Sequence, residues 1–154
     1  MGPEGRPPAP ARRGGGEEAI AEIVEVEQRI AARPATVFSY LTDAAKFVEW
    51  MGVGAELHPE PGGSFRIDVD GEHFARGEYR EVEPPHRLVM TWGWEGDAEV
   101  APGSSTVEIT LTADEDGTLL RLRHTGLPNQ PQVDAHRQGW VMYTAKLKER
   151  LTRH

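Results

Sequence analysis

The chain of 154 residues contains no cysteine. That absence excludes a disulfide framework, a thiolate zinc site and a cysteine nucleophile. It also lacks any apolar run near the roughly 18 residues that a membrane helix requires. The opening segment, MGPEGRPPAPARRGGGEE, has no apolar centre of the kind a secretory signal carries. The expected location is therefore the cytoplasm. A basic surface is missing as well. Net charge is -8, and the acidic excess lies between residues 20 and 123. A nucleic-acid binder needs basic groups to displace counterions from phosphates, so that class is excluded, and no membrane contact is expected.

What the chain does have is enough apolar material for one domain of ordinary size. Residues 1–18 form an expected Pro/Gly-rich disordered tail, since they hold almost nothing to bury. The expected domain spans 19–154. The alternation from Ile20 to Ile30 reads as a strand with one apolar face. Arg33-Pro34 stops it, and Pro34 suits the first turn of a helix carrying Val37, Phe38, Tyr40 and Leu41. Thr42-Asp43 offers a cap for a second short helix from Ala44 to about Met51.

Beyond Gly54 the period becomes two. Phe65, Ile67 and Val69 alternate with charges, and Asp70-Gly71 reads as a hairpin turn. A strand from Phe74 to Glu83 ends at Pro84-Pro85. Met90, Trp92 and Trp94 share one parity of the next strand. Val107 to Ala113 and Leu120 to His124 follow. From Gln132 the period becomes helical, and Val133, His136, Trp140, Tyr143, Leu147 and Leu151 fall on one face. Hairpin-sized connections imply an antiparallel sheet whose apolar face is covered by the final helix.

Several segments, taken in order, resemble a known superfamily. They are Pro34-Ala35-Thr36-Val37-Phe38 with Trp50, Pro61-Gly62-Gly63-Ser64-Phe65-Arg66, and Gly77 through Pro84-Pro85-His86-Arg87-Leu88-Val89 to Thr91-Trp92. Gly117-Thr118 leading to His124, and Gly139-Trp140, complete the set. Over residues 20–152 the chain is similar to the SRPBCC (START-like, Bet v-like) superfamily. Within it, it resembles domains related to the C-terminal domain of the Aha-type activator of the heat-shock-protein-90 ATPase. The resemblance implies an α+β helix-grip fold: a curved antiparallel sheet of about six or seven strands around a long C-terminal helix, with two short helices after the first strand. It also implies a cavity between sheet and helix.

Three functions then compete. The leading one is a binding module holding a small hydrophobic or aromatic ligand, which leans away from an enzyme. The second is a polyketide cyclase/aromatase-like or hydrolase-like enzyme using the same cavity, with His124, His136 or Tyr143 as acid or base. The third is a protein-interaction domain, such as a chaperone ATPase regulator, with a protein partner or a homodimer. The ligand-binding residues expected from parity are Phe65, Met90, Trp92, Leu122, His124, His136, Trp140 and Tyr143. Aromatic walls offer broad rigid contact, and imidazole and phenol groups offer orienting hydrogen bonds. No catalytic residue, cofactor or metal is assigned: the six histidines lack helical ligand spacing. Other acidic residues, Asp68, Asp70, Glu78 and Glu108 among them, read as solvated.

Overall fold

The computed structural model describes residues 23–152. The expected tail lies outside the described residues. The elements in order are β1 (Val24–Ile30), α1 (Pro34–Thr42), α2 (Ala44–Phe47), β2 (Gly54–Leu57), β3 (Ser64–Asp68), β4 (Phe74–Glu83), β5 (Arg87–Trp94), β6 (Ser105–Asp114), β7 (Gly117–Thr125) and α3 (Gln130–Thr152). The seven strands form one antiparallel sheet in the order β1-β7-β6-β5-β4-β3-β2. The first strand thus closes on the last, and β2 to β7 run as a meander. This is the expected helix-grip architecture, with α3 packed along β1.

Pro34 begins α1 after an extended Arg33, because its missing N–H and fixed φ suit that position. Asp43 separates the helices. Its Oδ1 accepts hydrogen bonds from the Ala45 and Lys46 amides at 2.9 and 3.3 Å. The second helix is shorter than its apolar pattern implies and ends at Phe47. The chain continues as a turn in which Trp50 Nε1 donates to the Tyr40 carbonyl at 2.9 Å. A buried indole usually finds a hydrogen-bond partner, and here it ties the turn to the preceding helix.

The strand β2 is a four-residue edge strand that the alternation analysis does not single out. Along β4 and β5 the register shifts between Tyr79 and Glu81. Such a bulge increases local twist and helps the sheet bend around the helix. Gly77 sits where a Cβ would lie 2.1 Å from the Thr91 carbonyl oxygen and 2.9 Å from the Phe65 ring. Gly77→Ala should therefore cost about 1–3 kcal/mol by overpacking. Equilibrium urea unfolding measures this, and an unchanged midpoint would show that the strands part freely there.

The core joins the concave sheet face to α1 and to one side of α3. Val133, Trp140, Thr144, Leu147 and Leu151 are buried on that helix. Gln28 Nε2 donates to Thr144 Oγ1 at 3.3 Å, tying β1 to the helix. The outer sheet face carries the charges. Arg121 pairs with Glu27 and Arg123 with Glu25 across β1 and β7. Glu108, expected to be solvated, is instead mostly shielded and held between Arg87 and Arg123. Cross-strand neighbours of opposite sign on one face meet in this way. No helix among the described residues is long and apolar enough to cross a membrane.

Candidate functional site

A cavity of about 660 Å³ opens between the end of β5, the first half of α3, the turn joining β3 to β4, and the loop after β5. Alternation on β5 places Trp92 and Trp94 on the concave face. Helical spacing places His136, Gly139, Trp140 and Tyr143 opposite them. Trp92 is the centre of the wall. Its ring meets Trp140 at 5.0 Å, and Trp94 edge-on at 5.7 Å between centroids. Phe65 stands behind it at 5.7 Å. Such tilted and edge contacts are the favoured arrangement of aromatic quadrupoles.

Four of the eight expected residues line the cavity: Trp92, His136, Trp140 and Tyr143. The other four, Phe65, Met90, Leu122 and His124, are buried behind that wall and are not among its lining residues.

The two histidines are each held by a tryptophan. Trp140 Nε1 donates to His124 Nδ1 at 3.0 Å, which requires the proton on His124 Nε2. That nitrogen donates to Ser105 Oγ at 2.8 Å, and the Ser105 hydroxyl donates to the Trp92 carbonyl at 2.8 Å. Both ring nitrogens are satisfied with no proton to spare. Burial, and to a lesser degree the nearby His136 ring, push His124 down to about 3, because a desolvated imidazolium is costly. It is a neutral, fixed support for Trp140. Trp94 Nε1 donates to His136 Nε2 at 3.0 Å, and His136 Nδ1 donates to the Gln132 carbonyl at 2.8 Å. The two imidazoles meet edge to face at 5.1 Å. This pairing orients aromatic walls and leaves neither histidine a vacant basic nitrogen. Trp92 Nε1, by contrast, is buried without a partner among the described residues.

The mouth is polar. Asp70 and His73 come from the turn after β3, and Glu95 and Asp97 from the loop after β5. Asp70 Oδ1 accepts from the Glu72 and His73 amides at 2.9 and 2.8 Å, and its Oδ2 meets His73 Nδ1 at 2.7 Å. The Glu72 amide, followed by the His73 ring, holds Asp70 down to about 2, and the Asp70 partner raises His73. Tyr143 is raised by burial and then by the Asp70 charge, so it stays a phenol that can donate. Glu95 is clamped by Arg66 at 2.8 and 3.0 Å, and the Arg66 guanidinium stacks 3.9 Å above the Phe74 ring. Asp70 is exposed, as expected, and is also bonded to two amides and to His73; no periodicity marks it or His73 as site residues. Trp94 shares the Trp92 parity, which was the available signal for it. Among the described residues no group of three or more histidine or acidic side chains is placed to hold a metal ion.

The fold has counterparts in known proteins. A family model described as "Activator of Hsp90 ATPase homolog 1-like protein" matches residues 31–152. The chain belongs to this AHSA1-like family. An AHSA1-like protein of Rhizobium etli is 50% identical, with a TM-score of 0.68 over 83% of this chain and 80% of that one. A protein of Mesorhizobium loti is 28% identical, with a TM-score of 0.77 over 86% of this chain and 98% of that one. DynU16, a protein in the dynemicin biosynthetic locus, is 25% identical with a TM-score of 0.76; the match covers 86% of this chain and 48% of DynU16. No curated protein matches. The AHSA1-like assignment agrees with the resemblance carried by the Pro34, Gly63, Pro84-Pro85 and Gly139-Trp140 segments. It fixes the superfamily, and the activity has to be argued from the chamber.

Proposed function

We propose that this AHSA1-like protein is a binding module for a small planar hydrophobic or aromatic molecule held between β5 and α3. The observation that carries this is the cavity of about 660 Å³ walled by Trp92, Trp94, Trp140 and Tyr143. Its size and its mixture of apolar wall and few polar groups are those of small-molecule sites. The likeness to a protein of a biosynthetic locus supports a small organic occupant over a macromolecule. Activation of a chaperone ATPase, named in the family's description, is the competing reading and does not need the chamber.

Gly139 separates the two. It lines the cavity from α3, and a Cβ there meets nothing within 4 Å. Gly139→Ala should stabilise the protein by about 0.4–1 kcal/mol, since glycine in a helix interior carries excess unfolded-state entropy. Gly139→Leu should fold equally well and project into the chamber, obstructing a planar occupant. Native mass spectrometry of protein purified from its own host should show a bound small molecule that the Leu variant loses. Quenching of tryptophan fluorescence by planar aromatic compounds should saturate in the wild type and not in the variant. Equal quenching in both, or none in either, would leave the chaperone reading in place.

A further inference from the structure

At the mouth of the cavity, Asp70 and His73 form a hydrogen-bonded pair that the binding reading leaves unused. The pair is built by the turn itself. Asp70 spends one carboxylate oxygen on two backbone amides and the other on His73 Nδ1 at 2.7 Å. An imidazole that donates from Nδ1 to a carboxylate is fixed in the tautomer whose Nε2 is a bare lone pair. Among the described residues that Nε2 has no hydrogen-bond partner. His124 and His136 offer no such nitrogen, since indole N–H groups occupy their acceptors. His73 and Tyr143 line the same chamber, and Tyr143 lies within electrostatic reach of Asp70.

We infer that the Asp70–His73 pair is a general base, acting on a weakly acidic C–H or O–H group of a planar conjugated molecule seated in the chamber. This rests on the binding reading above for the position of the substrate. His73 Nε2 takes the proton, and the electron pair of the broken bond passes into the conjugated system of the ligand. Asp70 steadies the imidazolium that forms. The proton then returns to the product or to water, so the step needs no oxidant, reductant or metal. Tyr143, kept protonated, can donate to an oxygen on which charge develops. The charged and titratable groups facing His73 are Asp70 and Glu72 on its own turn. Glu95 and Asp97, from the loop after β5, and Tyr143, from α3, line the same cavity.

The probe is 5-nitrobenzisoxazole, a flat aromatic molecule. Loss of its single ring C–H proton drives cleavage of the N–O bond and releases a coloured cyanophenolate. No other reactant is consumed. Its saturation of tryptophan quenching and its turnover are measured together on the full chain. Wild type should bind and should accelerate phenolate release above the buffer rate. His73→Ala should retain binding and lose roughly a hundredfold of that acceleration. Asp70→Asn should lose about ten- to a hundredfold by releasing the tautomer. The wild-type rate should climb with pH through a midpoint above the ordinary histidine value, because Asp70 favours the imidazolium. Saturable binding without acceleration, or acceleration that survives His73→Ala, would overturn the base and leave the binding module standing. Absence of both binding and acceleration would overturn both.

Discussion

Trp140→Ala should lower the unfolding free energy by about 3–5 kcal/mol, the usual cost of removing a buried indole. The corresponding fall in Tm is roughly 8–15 °C for a domain of this size. Trp140 is 4% exposed. It carries two loads: it packs on Trp92 at 5.0 Å, and it supplies the hydrogen bond to His124 Nδ1. Truncation opens the chamber inward and leaves a buried imidazole nitrogen without a donor. Trp140→Phe separates these loads, keeping a ring while removing the N–H, and should cost about 1–3 kcal/mol. Urea denaturation of both variants gives the ratio. A loss below about 1 kcal/mol for the Ala variant would mean that the inner face of α3 does not carry the ring as described.

Mild acid should destabilise the protein through His124. Its folded value of about 3 lies well below the ordinary 6.5. Between those limits the unfolded chain binds a proton that the native state refuses, so stability falls as pH falls. The full contribution is present above pH 6.5. It is lost progressively towards pH 3, at up to about 1.4 kcal/mol per pH unit. Between pH 7 and pH 4 the loss is about 3 kcal/mol from this one group. The other shifted groups act elsewhere. Asp70, held at about 2, works in the same direction but below the ordinary carboxylate range. His73, raised by Asp70, works with the opposite sign: its contribution is complete below pH 6.5 and disappears as pH rises through its folded value. His124→Gln keeps a hydrogen-bonding side chain and removes the titration. It should be less stable at pH 7 and show a flatter dependence from pH 6.5 to 4. Parallel curves for variant and wild type would assign the acid sensitivity to other groups.

The frame of the molecule was legible because it is written in periods. The alternations through Phe65, Trp92, Val107 and Leu120 each correspond to a strand with those residues turned inward. The three-and-four spacing through Trp140 and Leu147 corresponds to the buried side of α3. Two things escaped this logic. Strand β2 is too short for four residues to display a period, and it is defined by pairing with β3. The chamber mouth is built by turns, whose residues are placed by local hydrogen bonds such as those of Asp70 and carry no repeat. Parity also cannot report depth. His124 and His136 both lie on apolar faces. His124 stands opposite Val24 and Val107 in the interior of the sheet, whereas His136 sits on an early turn of α3 at the cavity. Phe65, Met90 and Leu122 differ from Trp92 in the same way.

The tryptophans divide the molecule into two optical compartments. Trp92, Trp94 and Trp140 sit within 5.0 and 5.7 Å of one another through Trp92. Transition dipoles that close mix, and near-ultraviolet circular dichroism should carry the signature of their coupling. Two of the three donate their indole protons to imidazoles, so protonation of His124 would be read directly in the emission of Trp140. Trp50 is elsewhere, beneath α1, bonded to the Tyr40 carbonyl and packed at 4.8 Å on Phe47. With Trp50 replaced by phenylalanine, emission reports only the chamber. Chamber occupancy can thus be followed by intrinsic emission, with no label attached.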